Sequence, residues 1–199
     1  MRSLIELAES GLPYAGWYVD AQNAIEAICN AKGWDSVRFA CALSALSPRV
    51  AVKRNVSLMA ALTRGEPLQG LKATWSKASR IWNDPQGIDL ADDMLNIAAT
   101  LPPGSAYKTA CFAANLTGDF EPVTLDSWMC RAMGAPIEKM SSRPWYQAAT
   151  ETIQGIAREL NETPAGIQSA IWHSYAFGEG GRITMGQFGE LLLGEKWGE

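Results

Sequence analysis

Segments with apolar residues at helical spacing follow one another along almost the whole chain, and glycine or proline separates most of them. Ile25, Ile28 and Cys29, for example, share one stripe of a segment that Gly33 ends. The alternation typical of a half-buried strand is absent except at residues 122–125. The chain therefore predicts an all-α fold. Predicted helices cover residues 3–10, 15–31, 37–46, 49–63, 72–82, 90–101, 107–116, 126–133, 144–160, 164–177 and 184–192.

One predicted helix, at residues 37–46, is almost continuously apolar. A helix without a polar face is buried on all sides, so this segment is expected at the centre of the fold. Asp35 is its predicted N-cap, and the Ser47-Pro48 turn ends it.

The 199 residues are sufficient for one domain or two small lobes with a real core. The apolar fraction is 47 % and the charged fraction 19 %, as in ordinary soluble proteins. No apolar run is long enough to cross a bilayer, and the N-terminus lacks a signal-peptide pattern. We therefore expect a cytoplasmic protein with no membrane partner.

The spacing of Cys29, Cys41, Cys111 and Cys130 matches no zinc or iron–sulfur pattern. Buried thiols in a reducing compartment explain them better. His173 is the only histidine, and its place inside a predicted helix favours a structural, hydrogen-bonded role. We expect no metal site, no metal cluster and no cofactor.

Charge is distributed unevenly along the chain. Residues 48–82 contain seven basic side chains and only one acidic side chain, so this segment carries +6 and the rest of the chain −10, for a net charge of −4. The segment can form a cationic face for phosphates, or an ordinary solvated surface balanced by acidic neighbours, and both interpretations stay open.

The strongest functional signal is a lysine and an aspartate eighteen residues apart. Lys108 follows a turn and starts a helix with an apolar body, whereas Asp126 follows a short extended stretch and starts the next helix. A half-buried lysine has a lowered pKa and can act as a nucleophile near neutral pH. The ordinary alternatives are a solvated surface lysine and an aspartate N-cap, and a capping aspartate can also face a cleft.

The short motifs around these two residues resemble those of the helix-hairpin-helix (HhH-GPD) DNA glycosylases of the endonuclease III type. That family carries Leu-Pro-Gly-x-Gly-x-Lys-Thr-Ala followed by Val-Asp-Thr-His, where this chain has Pro-Pro-Gly-Ser-Ala-Tyr-Lys-Thr-Ala at 102–110 and Leu-Asp-Ser-Trp at 125–128. Residues 43–48 and 76–78 resemble further segments of the family. Ala106 replaces the second hairpin glycine, Trp128 replaces the histidine, and the family's four-cysteine iron–sulfur loop has no counterpart.

The resemblance implies a two-lobed helical bundle, with one six-helix lobe at residues 16–120 and a second lobe from residues 1–15 and 121–199. It implies double-stranded DNA as the partner and a base flipped into the cleft between the lobes. Lys108 and Asp126 would be catalytic, with Lys-dependent strand cleavage (AP lyase activity) as in base excision repair. A monomer is favoured. The candidate DNA-binding or substrate-binding residues are Ser47, Arg49, Lys53, Arg54, Lys77, Gly104, Tyr107, Trp128 and Arg131.

Two alternatives remain on the same fold. Certain phage enzymes that hypermodify thymine resemble this family and transfer an amino acid or polyamine to an activated 5-methyl group in DNA. The compact size and the missing loop suit a phage-encoded member, which would work in the host cytoplasm. The other alternative is a non-catalytic DNA-binding relative in which Lys108 only contacts phosphate.

Overall fold

A computed structural model describes residues 2–67, 72–102, 106–178 and 188–198 of the chain. Within these ranges the chain is helical and contains no strand, which confirms the all-α prediction. The α-helices are α1 (Leu4–Gly11), α2 (Trp17–Lys32), α3 (Ser36–Ala45), α4 (Val52–Thr63), α5 (Lys72–Asn83), α6 (Gly87–Thr100), α7 (Tyr107–Leu116), α8 (Ser127–Ala132), α9 (Arg143–Leu160), α10 (Pro164–Gly178) and α11 (Phe188–Leu193). Short 3-10 segments cover Leu12–Tyr14 and Ile137–Ser141. The predicted helix at 184–192 falls partly outside the described residues.

Helix α3 lies at the centre of one group of helices, as its apolar sequence predicted. Every residue from Phe39 to Ala45 is buried, and α3 contacts α2, α4, α5, α6 and α7. The Asp35 side chain caps the helix by accepting a hydrogen bond from the Arg38 backbone N–H at 2.8 Å. A helix that is apolar on all faces thus determines the packing of its neighbours.

Helix α10 is the centre of a second group, which includes α1, α8 and α9. Helices α1 and α10 approach each other closely at Gly11. A Cβ atom at that position would lie 2.0 Å from the Ala170 carbonyl oxygen, which no side chain can tolerate. Glycine is therefore required where the two helices cross.

Helix α2 connects the two groups, because it packs against α3 and α7 and also against α10. Helix α11 packs against α2 and α4. The division into a lobe at 16–120 and a lobe from 1–15 and 121–199 stays a prediction. None of the helices in the described ranges has both the length and the apolar character needed to cross a bilayer.

Candidate functional site

An open cleft of about 770 Å³ lies between the turn that joins α3 to α4 and the N-terminal ends of α7 and α8. Seven of the predicted site residues line it: Ser47, Arg49, Lys53, Tyr107, Lys108, Asp126 and Trp128. The Lys108 amine and the Asp126 carboxylate, predicted from two separate sequence motifs, therefore share one cavity.

Lys108 occupies the first turn of α7 and is half-buried. Its Nζ atom donates a hydrogen bond to Ser47 Oγ at 2.6 Å and lies 4.8 Å from the centre of the Phe112 ring. Burial lowers the pKa of Lys108 to about 8, and the nearby charge of Asp126 acts in the opposite direction. At pH 7 about one tenth of the lysine is then the neutral amine. The environment suits a nucleophilic lysine.

Asp126 is held by three hydrogen bonds from two helices. Its Oδ1 atom caps α8 by accepting from the backbone N–H groups of Trp128 and Met129, both at 2.9 Å. Its Oδ2 atom accepts from Trp172 Nε1 on α10, also at 2.9 Å. The predicted capping role is confirmed, and the same carboxylate also faces the cleft. Lys108 and Asp126, both within the described ranges, do not form a direct ion pair.

The chain between α7 and α8 is fixed by a buried amide and a buried phenol. Asn115, at the end of α7, donates to the carbonyls of Asp119 and Pro122 at 2.9 and 2.8 Å and accepts from the Thr124 hydroxyl at 2.8 Å. The hydroxyl group of Tyr146 on α9 donates to the Val123 carbonyl at 2.7 Å and accepts from the Leu125 N–H at 3.1 Å. Asp126 is therefore delivered to the cleft by an anchored segment, not by a mobile loop.

The two aromatic residues beside the catalytic candidates differ in exposure. Tyr107 is 1 % exposed, its ring contacts that of Tyr146 at 5.1 Å, and its hydroxyl has no hydrogen-bond partner among the described residues. Tyr107 is therefore part of the cleft wall and offers no open ring face. Trp128 is half-buried, and the Arg131 guanidinium lies 4.8 Å from its ring centre, so Arg131 meets the cleft only through Trp128.

The predicted basic residues are not all at the cleft. Arg49 and Lys53 are exposed and line it. Arg54 is exposed on α4 next to Lys53 but does not line the cleft. Lys77 lies in a separate groove between α5 and α6, together with Arg80. Gly104 lies outside the described residues.

The turn before α4 has a further property that suits anions. Arg49 adopts a left-handed conformation, with a φ of 63°. Ala51 occupies the N-cap position of α4 and provides no side-chain hydrogen bond to the first turn. An N-terminal helix end without a side-chain cap therefore lies at the mouth of the cleft, and such helix ends attract anions.

Sequence analysis did not identify several cleft residues, which are Trp17, Tyr18, Asn55, Phe112, Gln168 and Trp172. Four of them come from helices far along the chain from the predicted site residues, whereas Asn55 shares α4 with Lys53 and Phe112 shares α7 with Lys108. Trp172 lies on α10, and its indole N–H bonds to Asp126. Its only sequence signal was general: a buried indole N–H needs an acceptor, and the sequence does not say which.

His173, next to Trp172, is buried and does not line the cleft. Its Nδ1 atom lies 2.7 Å from the Ser169 carbonyl, and its ring stacks on Tyr14 at 4.7 Å. Burial lowers the pKa of His173. The predicted structural role is confirmed.

The four cysteines are buried free thiols, as expected. Burial raises the pKa of Cys41 to about 12 and that of Cys111 to about 11, so neither is a reactive thiolate at neutral pH. In the described ranges, histidine, cysteine and carboxylate side chains do not gather in groups of three that could hold a metal ion.

A family model described as a family of unknown function (DUF7178) matches residues 10–176, so the chain belongs to that family. No curated protein and no solved structure matches the sequence.

Proposed function

We propose that this member of the DUF7178 family binds double-stranded DNA and acts on a nucleotide flipped into the cleft, with Lys108 as the nucleophile and Asp126 as a fixed negative charge. The observation that carries the proposal is the shared cleft: a half-buried amine with a pKa of about 8 and an anchored carboxylate line the same cavity.

The size and lining of the cleft support a flat, mainly apolar ligand. Its volume of about 770 Å³ falls within the range of about 300–1,000 Å³ that is usual for small-molecule sites. Half-buried indole rings of Trp17, Trp128 and Trp172 contribute to its wall. Aromatic faces stack on nucleobases irrespective of sequence, as in single-strand binding proteins.

The mouth of the cleft supports contact with a phosphate backbone. Arg49 and Lys53 are exposed there, beside the first turn of α4, whose N–H groups lack a side-chain cap. Guanidinium, ammonium and helix N–H groups are the usual donors to phosphate in DNA complexes. A nucleotide could therefore enter the cleft while its flanking phosphates stay at the rim.

The proposed reaction follows from the neutral fraction of Lys108. The Nζ lone pair forms a bond to the sugar C1′ as the C1′–N bond to the base breaks, and the base leaves with the bond electrons and takes up a proton. Opening of the sugar ring, with protonation of its oxygen, gives a Schiff base between C1′ and Nζ. This intermediate is the precursor of strand cleavage in a lyase reaction.

The hydrogen bonding of Asp126 favours an electrostatic role. Oδ1 accepts two N–H hydrogen bonds and Oδ2 accepts one. A carboxylate has about four lone-pair positions, so few remain to receive a proton from the substrate. A fixed negative charge stabilises the positive charge that develops at C1′. The thymine-hypermodification alternative needs Asp126 to deprotonate an incoming amine, and we rank it second for this reason.

Borohydride trapping tests the proposal. Purified protein is incubated with duplexes that contain normal, damaged or 5-substituted bases, and sodium borohydride then reduces any Schiff base to a stable covalent adduct. We expect a Lys108-linked adduct with at least one duplex, and no adduct for Lys108→Ala. Lys72→Ala removes an exposed lysine outside the cleft and is the matched control.

Three other outcomes are informative. An adduct that persists in Lys108→Ala would exclude Lys108 as the nucleophile. Intact strands whose base mass increases only when an amine cosubstrate is present would favour the transferase alternative. Salt-sensitive DNA binding without any product would leave the non-catalytic alternative.

A further inference from the structure

Two carboxamide side chains line the cleft without taking part in the Lys108–Asp126 arrangement. Asn55 on α4 is 2 % exposed, and Gln168 on α10 is 3 % exposed. A few fixed polar groups in a mainly apolar pocket usually orient the ligand. A carboxamide has a donor end and an acceptor end, so the orientation of each group decides what it can bind.

The orientation of Asn55 is fixed by the main chain of α3. Its Nδ2 atom donates to the Leu43 carbonyl oxygen at 2.9 Å. Because a carbonyl can only accept, the nitrogen must lie on that side and Oδ1 on the other. Within the described ranges, Oδ1 accepts no hydrogen bond.

Gln168 turns its Oε1 end to a phenol on α2. Tyr18 Oη donates to Gln168 Oε1 at 2.7 Å. Burial raises the pKa of Tyr18, so at neutral pH the phenol keeps the proton that it donates in this bond. The Nε2 end of Gln168 is then directed away from Tyr18, and it donates to no other residue in the part of the chain that the structure describes.

Neither free amide end is fully enclosed, and both residues line the cleft. In the described ranges, the fully enclosed side-chain polar atoms without a partner are Tyr107 Oη and Thr150 Oγ1, and neither Asn55 Oδ1 nor Gln168 Nε2 is among them. Each therefore keeps some accessible surface, and the cleft is the open space that both residues line. A buried polar atom without a protein partner is destabilising unless water or a ligand satisfies it.

We infer that Asn55 and Gln168 are specificity-determining residues that recognise the edge of a flat heterocycle, Gln168 by donating a hydrogen bond to a ring or carbonyl acceptor and Asn55 by accepting one from an N–H group. A nucleobase has both kinds of group on its edge. The inference rests on the proposed function in that it takes the base as the occupant of the cleft. Sites that use hydrogen bonds in this way discriminate strongly against ligands that lack a partner group.

Binding of free nucleosides tests the inference without DNA. Saturation-transfer NMR and titration with the four deoxynucleosides are performed on the wild type, on Gln168→Glu and on Gln147→Glu. Glutamate has almost the shape of glutamine but lacks the N–H donor, and Gln147 is a half-buried residue of α9 outside the cleft. We expect at least one nucleoside to bind, with affinity reduced at least about fivefold in Gln168→Glu and unchanged in Gln147→Glu.

The Asn55 half of the inference is tested on the ligand, because a substitution at Asn55 would also remove its bond to Leu43. The nucleoside that binds best is compared with its N-methylated form, in which the N–H groups of the base edge are blocked. We expect the methylated nucleoside to bind at least about fivefold more weakly.

The outcomes separate this inference from the proposed function. Absence of nucleoside binding, or equal binding by the wild type and Gln168→Glu, overturns the recognition role even if borohydride trapping succeeds. Equal binding of the methylated form overturns the role of Asn55. Nucleoside binding that depends on Gln168, in a protein that neither binds duplex DNA nor forms an adduct, supports recognition and overturns the proposed reaction.

Discussion

The two walls of the cleft differ in how many hydrogen bonds they provide to the charged side chain that each of them carries. The lysine wall, formed by α7 and the turn after α3, gives Lys108 a hydrogen bond to Ser47 and an aromatic neighbour, Phe112. The aspartate wall, formed by α8 and α10, gives Asp126 three N–H donors. The poorly solvated amine has a lowered pKa, whereas the carboxylate is fixed in one orientation.

We expect one wall to make the site reactive and the other wall to stabilise the fold. Burial of a cation without a matching anion in contact costs folding free energy and makes the amine more nucleophilic. A carboxylate that caps one helix and binds a second contributes to stability and supplies a preorganised charge. The lysine wall should therefore destabilise the folded protein, and the aspartate wall should stabilise it.

Replacing Lys108 with methionine should have the largest effect on stability, and it should be favourable. The pKa of Lys108 is about 8 in the fold and 10.5 unperturbed, so the unfolded chain binds more protons between these values. The free energy of unfolding of the wild type should therefore increase as the pH rises from 8 to 10.5, because Lys108 loses its proton in the fold. Below pH 8 the buried charge of Lys108 destabilises the fold in full. At pH 7 we expect Lys108→Met to be more stable by on the order of 1–3 kcal/mol, a range reduced for partial exposure.

Urea denaturation at several pH values measures this difference. Burial raises the pKa of Cys29 and Cys130 in the fold, so ionisation of these thiols after unfolding also changes stability as the pH rises. This contribution is common to both proteins, so the difference between the two curves reports on Lys108. A constant difference from pH 7 to 10.5 would contradict the lowered pKa.

Asp126→Ala should be the most destabilising change on the aspartate wall, by about 2 kcal/mol, because it removes the cap of α8 and the acceptor of the Trp172 N–H. Asp126→Asn should cost about half as much, since asparagine keeps the cap. Both changes remove the charge that raises the pKa of Lys108, so trapping should reach its half-maximal rate at lower pH. An unchanged midpoint in both variants would show that the two walls are not coupled.

A pair of tyrosines gives a matched comparison between the walls. The Tyr146 hydroxyl bonds to two backbone groups of the segment before Asp126, whereas the Tyr107 hydroxyl has no partner among the described residues. We expect Tyr146→Phe to destabilise the protein by about 1–2 kcal/mol and Tyr107→Phe to be neutral or slightly stabilising. Thermal unfolding of the two variants measures both effects, and equal losses would argue against this contrast.

Ser47→Ala should have a small effect, a loss of about 1 kcal/mol or less, because one hydrogen bond to a half-buried ammonium is removed. Its main consequence should be a less well oriented amine, seen as slower borohydride trapping at saturating DNA. A destabilisation as large as that of Asp126→Ala would mean that the lysine wall is held as firmly as the other.

Local chemistry explains why the sequence was sufficient for part of the site. Helix α3 was predicted as a central element because its apolar run leaves no polar face, and Phe39 to Ala45 are all buried. Asp126 was predicted as a cap because the residues that it binds are the next two to three in the chain. The position of Lys108 at the start of α7 followed from the turn before it.

Other features could not be predicted because they depend on residues far apart in the chain. Lys77 belongs to the same cationic segment as Lys53, yet the packing of α5 on α6 places it in a separate groove. Tyr107 was predicted to be a DNA-binding or substrate-binding residue beside Lys108, and the approach of α9 buries it against Tyr146. Composition and local patterns do not report such contacts.

The amino-acid sequence by itself determined the helices, the turn before Lys108 and the cap at Asp126, because hydrogen bonds and apolar periodicity act within a few residues. Only the tertiary structure decided that Lys108 meets Ser47, that Trp172 holds Asp126 and that Asn55 and Gln168 line one cleft. The pKa of a lysine and the orientation of an amide depend on desolvation and on partners, and in this cleft helices distant in the sequence supply both.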